Sequence, residues 1–85
     1  MTIHSSHPDI IARLKRAHGH LAAVLTMFEQ GRSCLDLTQQ LHAVESAVGN
    51  AKRELIHDHM EHCLVEGGEA TRDTLKELKQ LTKYL

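Results

Sequence analysis

The stretch from Ser33 to Cys63 constrains the fold of this chain more than any other part of the sequence. The chain's two cysteines, Cys34 and Cys63, lie at the two ends of this stretch, and apolar residues recur between them at spacings of four and three. Those apolar residues are Leu37, Leu41, Val44, Val48, Ala51 and Leu55. Such spacing predicts one long α-helix that packs on another helix along a single stripe.

Soft metal ligands lie at both ends of this stripe. His59 and Cys63 are four residues apart, so on a helix they share a face and can bind one metal ion. Cys34 lies roughly 40 Å away along an unbroken helix. Either the helix breaks near Gly49 and Asn50, or it pairs antiparallel with a second copy that supplies Cys34. The second arrangement is favoured, because it keeps the apolar stripe intact. A glycine inside a helix costs only about 1 kcal/mol, which is far less than the stripe would lose if the helix broke.

The same three residues have other interpretations. Free cysteine is among the most buried residue types, so two core cysteines and a hydrogen-bonded histidine would also fit the pattern. Two cysteines brought together could oxidise reversibly. With a fourth ligand the set would suit Zn(II) in a helical dimer that has no DNA role.

The composition narrows the class of protein. The chain has 85 residues, one Phe, one Tyr and no Trp, which predicts a single domain that gains core by oligomerising. Its net charge of −1 means that any nucleic-acid surface must come from local segregation of charge. No signal peptide or membrane span is predicted, so the expected location is the cytoplasm, where paired Cys and His indicate metal or redox chemistry. No nucleophile lies beside a base, and an enzyme is not expected.

Two further helices flank the long one, which is predicted over residues 33–64. Residues 1–7 form a polar arm whose histidines, His4 and His7, are either solvated or additional metal ligands. A helix over residues 8–30 follows, with Gly31 as its left-handed cap. Its apolar face is Ile10, Leu14, Ala17, Leu21, Val24 and Phe28. A third helix is predicted over residues 70–84, with Leu75, Leu78, Leu81 and Leu85 on its apolar face.

Three segments resemble the CsoR/RcnR/FrmR family of bacterial transcriptional repressors. They are RLKRAHGHL from Arg13, GRSCLDLTQQLHAVESAV from Gly31 and LIHDHMEHCL from Leu55. The resemblance covers most of the chain and implies an all-α, three-helix protomer that forms an antiparallel four-helix-bundle dimer. It also implies pairing of dimers into tetramers, and a repressor that binds double-stranded operator DNA without effector and releases it when effector binds. DNA contact in the family uses a basic helical surface and no helix-turn-helix.

The family's basic surface maps onto charged residues of the first two helices. These are Arg13, Lys15 and Arg16 on the first helix and, as weaker candidates, Lys52 and Arg53 on the second. The alternative for the first three is a solvated helix face. Asn50 stands where some family members have a basic residue, which weakens that part of the surface.

The ligand set bears on the effector. Cys34, His59 and Cys63 match the Cys-His-Cys pattern of the family's copper sensors, and two thiolates with an imidazole suit Cu(I). Glu77 would be the acidic outer-shell partner on the third helix, whereas Ser33 replaces a tyrosine that is frequent in copper sensors. His4 or His7 would instead complete a Ni(II)/Co(II) site, as an N-terminal histidine does in that branch. Responses to formaldehyde or persulfide through Cys34 rank behind these two.

Overall fold

The computed structural model describes residues 7–65 and 72–85, and for residues 63–65 it describes the backbone alone. Its helices are α1 (His7–Glu29), α2 (Cys34–Val65) and α3 (Arg72–Leu81), followed by a 3-10 turn at Thr82–Tyr84. The described part contains no strand, which confirms the all-α prediction. His4 lies outside the described residues.

A tight connection joins α1 to α2, and hydrogen bonds close it on both sides. Gly31 adopts φ +71°, the left-handed conformation that glycine accepts without steric cost. The Arg32 N–H donates to Met27 O at 3.2 Å and the Gly31 N–H donates to Phe28 O at 3.1 Å, the pair of bonds that defines a Schellman cap. The Ser33 hydroxyl then accepts the Asp36 N–H at 3.1 Å and caps the start of α2.

Helix α2 runs through Gly49 and Asn50 without a break. The alternative in which the helix bends there and folds Cys34 back onto Cys63 is therefore excluded. At 1.5 Å rise per residue, Cys34 and His59 lie about 38 Å apart along the axis. One chain cannot bring its own Cys34 to His59.

The core between α1 and α2 uses only half of each predicted apolar stripe. Ile10, Ala17 and Val24 on α1 are buried against Leu37, Val44 and Ala51 on α2. The other residues of the two stripes are each 41–54 % exposed, and we call them the open face. The open face consists of Leu14, Leu21 and Phe28 on α1 and Leu41, Val48 and Leu55 on α2.

Polar contacts occupy the opposite flank of the α1–α2 contact. His20 Nε2 lies 2.6 Å from Gln40 Oε1, and Arg13 Nη1 lies 2.8 Å from Glu54 Oε2. Both pairs join α1 to α2. The helical hairpin therefore has one polar flank and one apolar flank, which is the asymmetry of an element that packs on something else.

Candidate metal centre and nucleic-acid interface

Helix α2 places the predicted metal ligands at its two ends. Cys34 is its first residue, is exposed and is a free thiol. Its position is fixed by the Ser33 cap and by the Thr38 hydroxyl, which donates to Cys34 O at 2.7 Å. Cys63 belongs to the last turns of the same helix, and its side chain lies outside the described part. The predicted ligands are thus divided between the two ends of one long helix.

His59 contacts the residue that was predicted as its outer-shell partner. Its Nε2 lies 3.1 Å from Glu77 Oε1, which joins the end of α2 to α3. The imidazole is 28 % exposed and the carboxylate 58 % exposed. If Nε2 carries the proton that Glu77 accepts, Nδ1 is the nitrogen that would coordinate a metal ion.

The remaining histidines near this end differ in their surroundings. His62 Nε2 lies 3.5 Å from Asp58 Oδ1 one turn earlier, and His57 is exposed. His7 is half-buried at the first residue of α1. Among the described side chains, no three of the types His, Cys, Asp and Glu come together around a common point. Within one chain the structure therefore brings His59 and Glu77 together and keeps Cys34 apart.

The chemistry of the donor set fits a soft metal ion. Two thiolates and one imidazole are the ligands that Cu(I) prefers. If Cys34 and His59 bind the same metal ion, Cys34 has to come from a second chain, because α2 separates the two residues by most of its length. The open face is the surface on which that second chain would have to pack.

The predicted DNA-contacting residues are all exposed, but their charges are not equally available. Lys15 and Arg16 on α1 and Lys52 on α2 are exposed and form no ion pair with another described residue. Arg53 Nη2 donates to Asn50 Oδ1 at 2.5 Å. Because this partner is a neutral amide, it does not offset the charge of the Arg53 guanidinium. Arg13, in contrast, is paired with the Glu54 carboxylate.

One of these contacts involves a residue that the sequence did not single out, Glu54. Glu54 was overlooked because it contacts a residue 41 positions earlier, and no local spacing reveals such a pair. Asn50 and Arg53 are three residues apart on a helix, so their contact could have been anticipated. The contact places the Arg53 guanidinium beside Asn50.

No helix among the described residues is long and apolar enough to cross a membrane.

Comparison with known proteins identifies relatives along almost the whole chain. Residues 6–85 match the family model of the metal-sensitive transcriptional repressor. The chain is 37 % identical over 78 residues to a copper-sensing transcriptional repressor CsoR from Mycobacterium ulcerans, with 86 % of this chain and 67 % of the relative covered. It is 34 % identical over 81 residues to the Bacillus subtilis CsoR, with 88 % and 80 % covered. No solved structure matches the chain significantly.

Proposed function

Since the chain belongs to the metal-sensitive transcriptional repressor family, we propose that it binds operator DNA as the apo-protein and releases it on binding Cu(I). The family is regulatory, so the prediction that the chain is not an enzyme is confirmed. The protein would act in the cytoplasm, where its release from the operator would derepress genes for metal efflux or resistance. The observation that carries the proposal is the 3.1 Å contact between His59 and Glu77 at one end of an unbroken α2 that begins at Cys34.

The proposed functional unit is an antiparallel dimer. An antiparallel partner places its Cys34 beside this chain's His59 and Cys63, and it covers the open face in the same step. Two independent requirements, the missing ligand and the exposed apolar side chains, are therefore met by one arrangement. The dimer would be an antiparallel four-helix bundle, and we extend the proposal to a dimer of dimers.

Cu(I) is favoured as the effector by the donor set and by the relatives, which are copper-sensing repressors. Cys34 and Cys63 would supply thiolates and His59 its Nδ1. Glu77 would hold the imidazole in the correct tautomer from the side away from the metal, and such partners typically change metal affinity 10–100-fold. Bound Cu(I) would join the start of one α2 to the end of the other.

DNA binding is assigned to the exposed basic residues Arg13, Lys15, Arg16, Lys52 and Arg53. With a net charge of −1 the protein has no overall attraction to DNA, so these residues would act as a local surface that contacts phosphates. Metal binding would change the bundle geometry through α2 and through Glu77 on α3. The required coupling is on the order of 1–3 kcal/mol, which is typical of allosteric proteins.

The test is an anaerobic titration of the reduced apo-protein with Cu(I), in which metal binding and binding to its promoter fragment are followed together. Cys34→Ala and His59→Ala should bind DNA like the wild type and fail to release it when Cu(I) is added. His57→Ala is the matched control, because His57 is an exposed histidine two residues from His59 and should respond like the wild type. Release of DNA by Cys34→Ala at wild-type metal concentrations would refute the site.

The same titration with Ni(II) or Co(II) tests the second candidate effector. Release by these ions that depends on His4 or His7 would assign the protein to the nickel and cobalt sensors. Retention of DNA with every metal, but release with formaldehyde or a persulfide donor, would assign the response to Cys34 thiol chemistry. Binding of Zn(II) without any salt-dependent DNA binding would indicate a metal-binding dimer with no DNA role.

A further inference from the structure

One of the proposed DNA-contacting residues already has an anionic partner in the protein. Arg13 Nη1 lies 2.8 Å from Glu54 Oε2, and this ion pair joins α1 to α2. The Arg13 side chain is 49 % exposed and the Glu54 side chain 36 % exposed. Glu54 Oε2, the oxygen in this ion pair, is itself shielded from solvent. A DNA phosphate that approaches Arg13 therefore meets a carboxylate in the same place.

Although Glu54 Oε2 is shielded, both side chains are partly exposed as a whole, so the ion pair is not mainly a structural support. Ion pairs at such exposure contribute about 0–1 kcal/mol to stability. The buried apolar contacts of α1 with α2 hold the same two helices together independently. The main consequence of Glu54 is therefore electrostatic: it offsets the charge of one arginine on the surface that would face DNA.

The neighbouring arginine provides an internal comparison. Arg53 is adjacent to Glu54 in the sequence, yet its guanidinium donates to the neutral Asn50 amide at 2.5 Å. Arg53 is thus oriented with its charge uncompensated, whereas the charge of Arg13 is partly offset by the Glu54 carboxylate. The two arginines should therefore contribute unequally to DNA binding, with Arg53 contributing more than its rank in the sequence analysis implied.

We propose that Glu54 is an internal competitor for DNA phosphate that lowers the DNA affinity of this repressor through Arg13. When Arg13 stays shared between Glu54 and a phosphate, the local charge of the Arg13–Glu54 pair is close to zero, so the contact releases almost no net counterion from the DNA. Glu54 is a positioning residue in this scheme, since it acts on DNA only through Arg13, and the inference rests on the proposed function.

The experiment measures the dissociation constant of the reduced apo-protein for its promoter duplex between 50 and 200 mM salt. Four proteins form a cycle: the wild type, Glu54→Gln, Arg13→Ala and the double variant. Glu54→Gln keeps the side-chain size and removes the charge. It should bind more tightly, and its slope of log affinity against log salt should be steeper by about 0.9, the value for one phosphate contact. Over this fourfold range of salt that difference is about 3.5-fold in affinity.

The control variant is Glu29→Gln. Glu29 is exposed and forms no ion pair with a described residue, and its replacement by glutamine removes the same unit of charge as Glu54→Gln does. It lies 16 residues from Arg13 on α1, about 24 Å along the axis, which exceeds the Debye length of about 10 Å at 0.1 M salt. Its salt slope should equal that of the wild type. A thermal melt of each variant checks that the fold is retained.

The cycle separates the two proposals. Arg13→Ala should cost more affinity in the Glu54→Gln background than in the wild type, because the carboxylate no longer offsets the arginine. An unchanged or flatter slope for Glu54→Gln overturns the competitor role, as does Arg13→Ala with no effect in either background. The DNA-binding function is still tested by Lys15→Ala and Arg53→Ala, and it fails if the wild type shows no salt-dependent binding at all.

Discussion

Leu41→Glu tests whether the open face is the dimer interface. Leu41 lies on α2 and is 41 % exposed, and the other five residues of the open face are 41–54 % exposed. Full burial of a leucine stabilises by about 1.5–3 kcal/mol, so covering the remaining fraction gains about 1 kcal/mol per side chain. Six such side chains on each of two chains give about 12 kcal/mol, against an association cost of about 4–15 kcal/mol. The apolar gain is therefore of the same size as the association cost, and loss of even part of it should weaken the dimer.

A glutamate at position 41 weakens the dimer at two places, because a two-fold interface contains each residue in both copies. It removes about 1 kcal/mol of apolar burial per chain and places an unpaired carboxylate in the interface, at several kcal/mol each. The dissociation constant should rise at least about 1,000-fold, which corresponds to about 4 kcal/mol. Sedimentation equilibrium over a range of protein concentrations measures it directly.

Leu35→Glu is the control for this experiment. Leu35 lies on the same helix and is 68 % exposed, but it lies about 120° around the helix from Leu41. Its assembly should match the wild type. If the two variants dissociate to the same extent, or neither dissociates, the open face is not the interface and the derivation of the shared metal site is wrong.

Two further predictions concern the intrachain core and the outer shell. Val24 is 0 % exposed, so Val24→Ala should lower the free energy of unfolding in urea by about 2 kcal/mol. Val48 is 45 % exposed, so Val48→Ala should lower it by less when it is measured in the Leu41→Glu background, in which the dimer interface is expected to be absent. Glu77→Gln should weaken Cu(I) binding about 10–100-fold in a competition titration and leave apo DNA binding intact, with the exposed Asp73→Asn on α3 as control. Equal Cu(I) affinity for the two α3 variants would contradict the outer-shell role.

The sequence predicted the helices well because their periodicity and end signals agree. Gly31 marks the end of α1 by local chemistry and forms the expected cap, and the Ser33 hydroxyl caps the start of α2 in the same local way. Periodicity also identified the apolar stripes, but it could not say which residues face α1 and which face a partner. Ile56 illustrates this limit, since it is 3 % exposed whereas Leu55, which continues the spacing, is 42 % exposed.

The candidate site was less accessible to sequence reasoning than the fold. The spacing of His59 and Cys63 is local, so a shared helix face follows from it directly. The prediction that Glu77 is the outer-shell partner came from the family resemblance, because nothing in the spacing of α3 relates this helix to α2. The pairing of Arg13 with Glu54 depends on how two helices cross, and the one-dimensional pattern does not contain that information.

The short connection over residues 30–33 has a consequence for the order of folding. It is closed by hydrogen bonds among residues 26–37, so the turn can form before any distant contact exists. Helices α1 and α2 can then close on each other as a hairpin of low contact order, on the microsecond to millisecond scale typical of helical proteins. Pairing with a second copy is a bimolecular step whose rate depends on concentration. We therefore expect refolding to show a fast phase independent of concentration, followed by a slower phase that accelerates as protein is added.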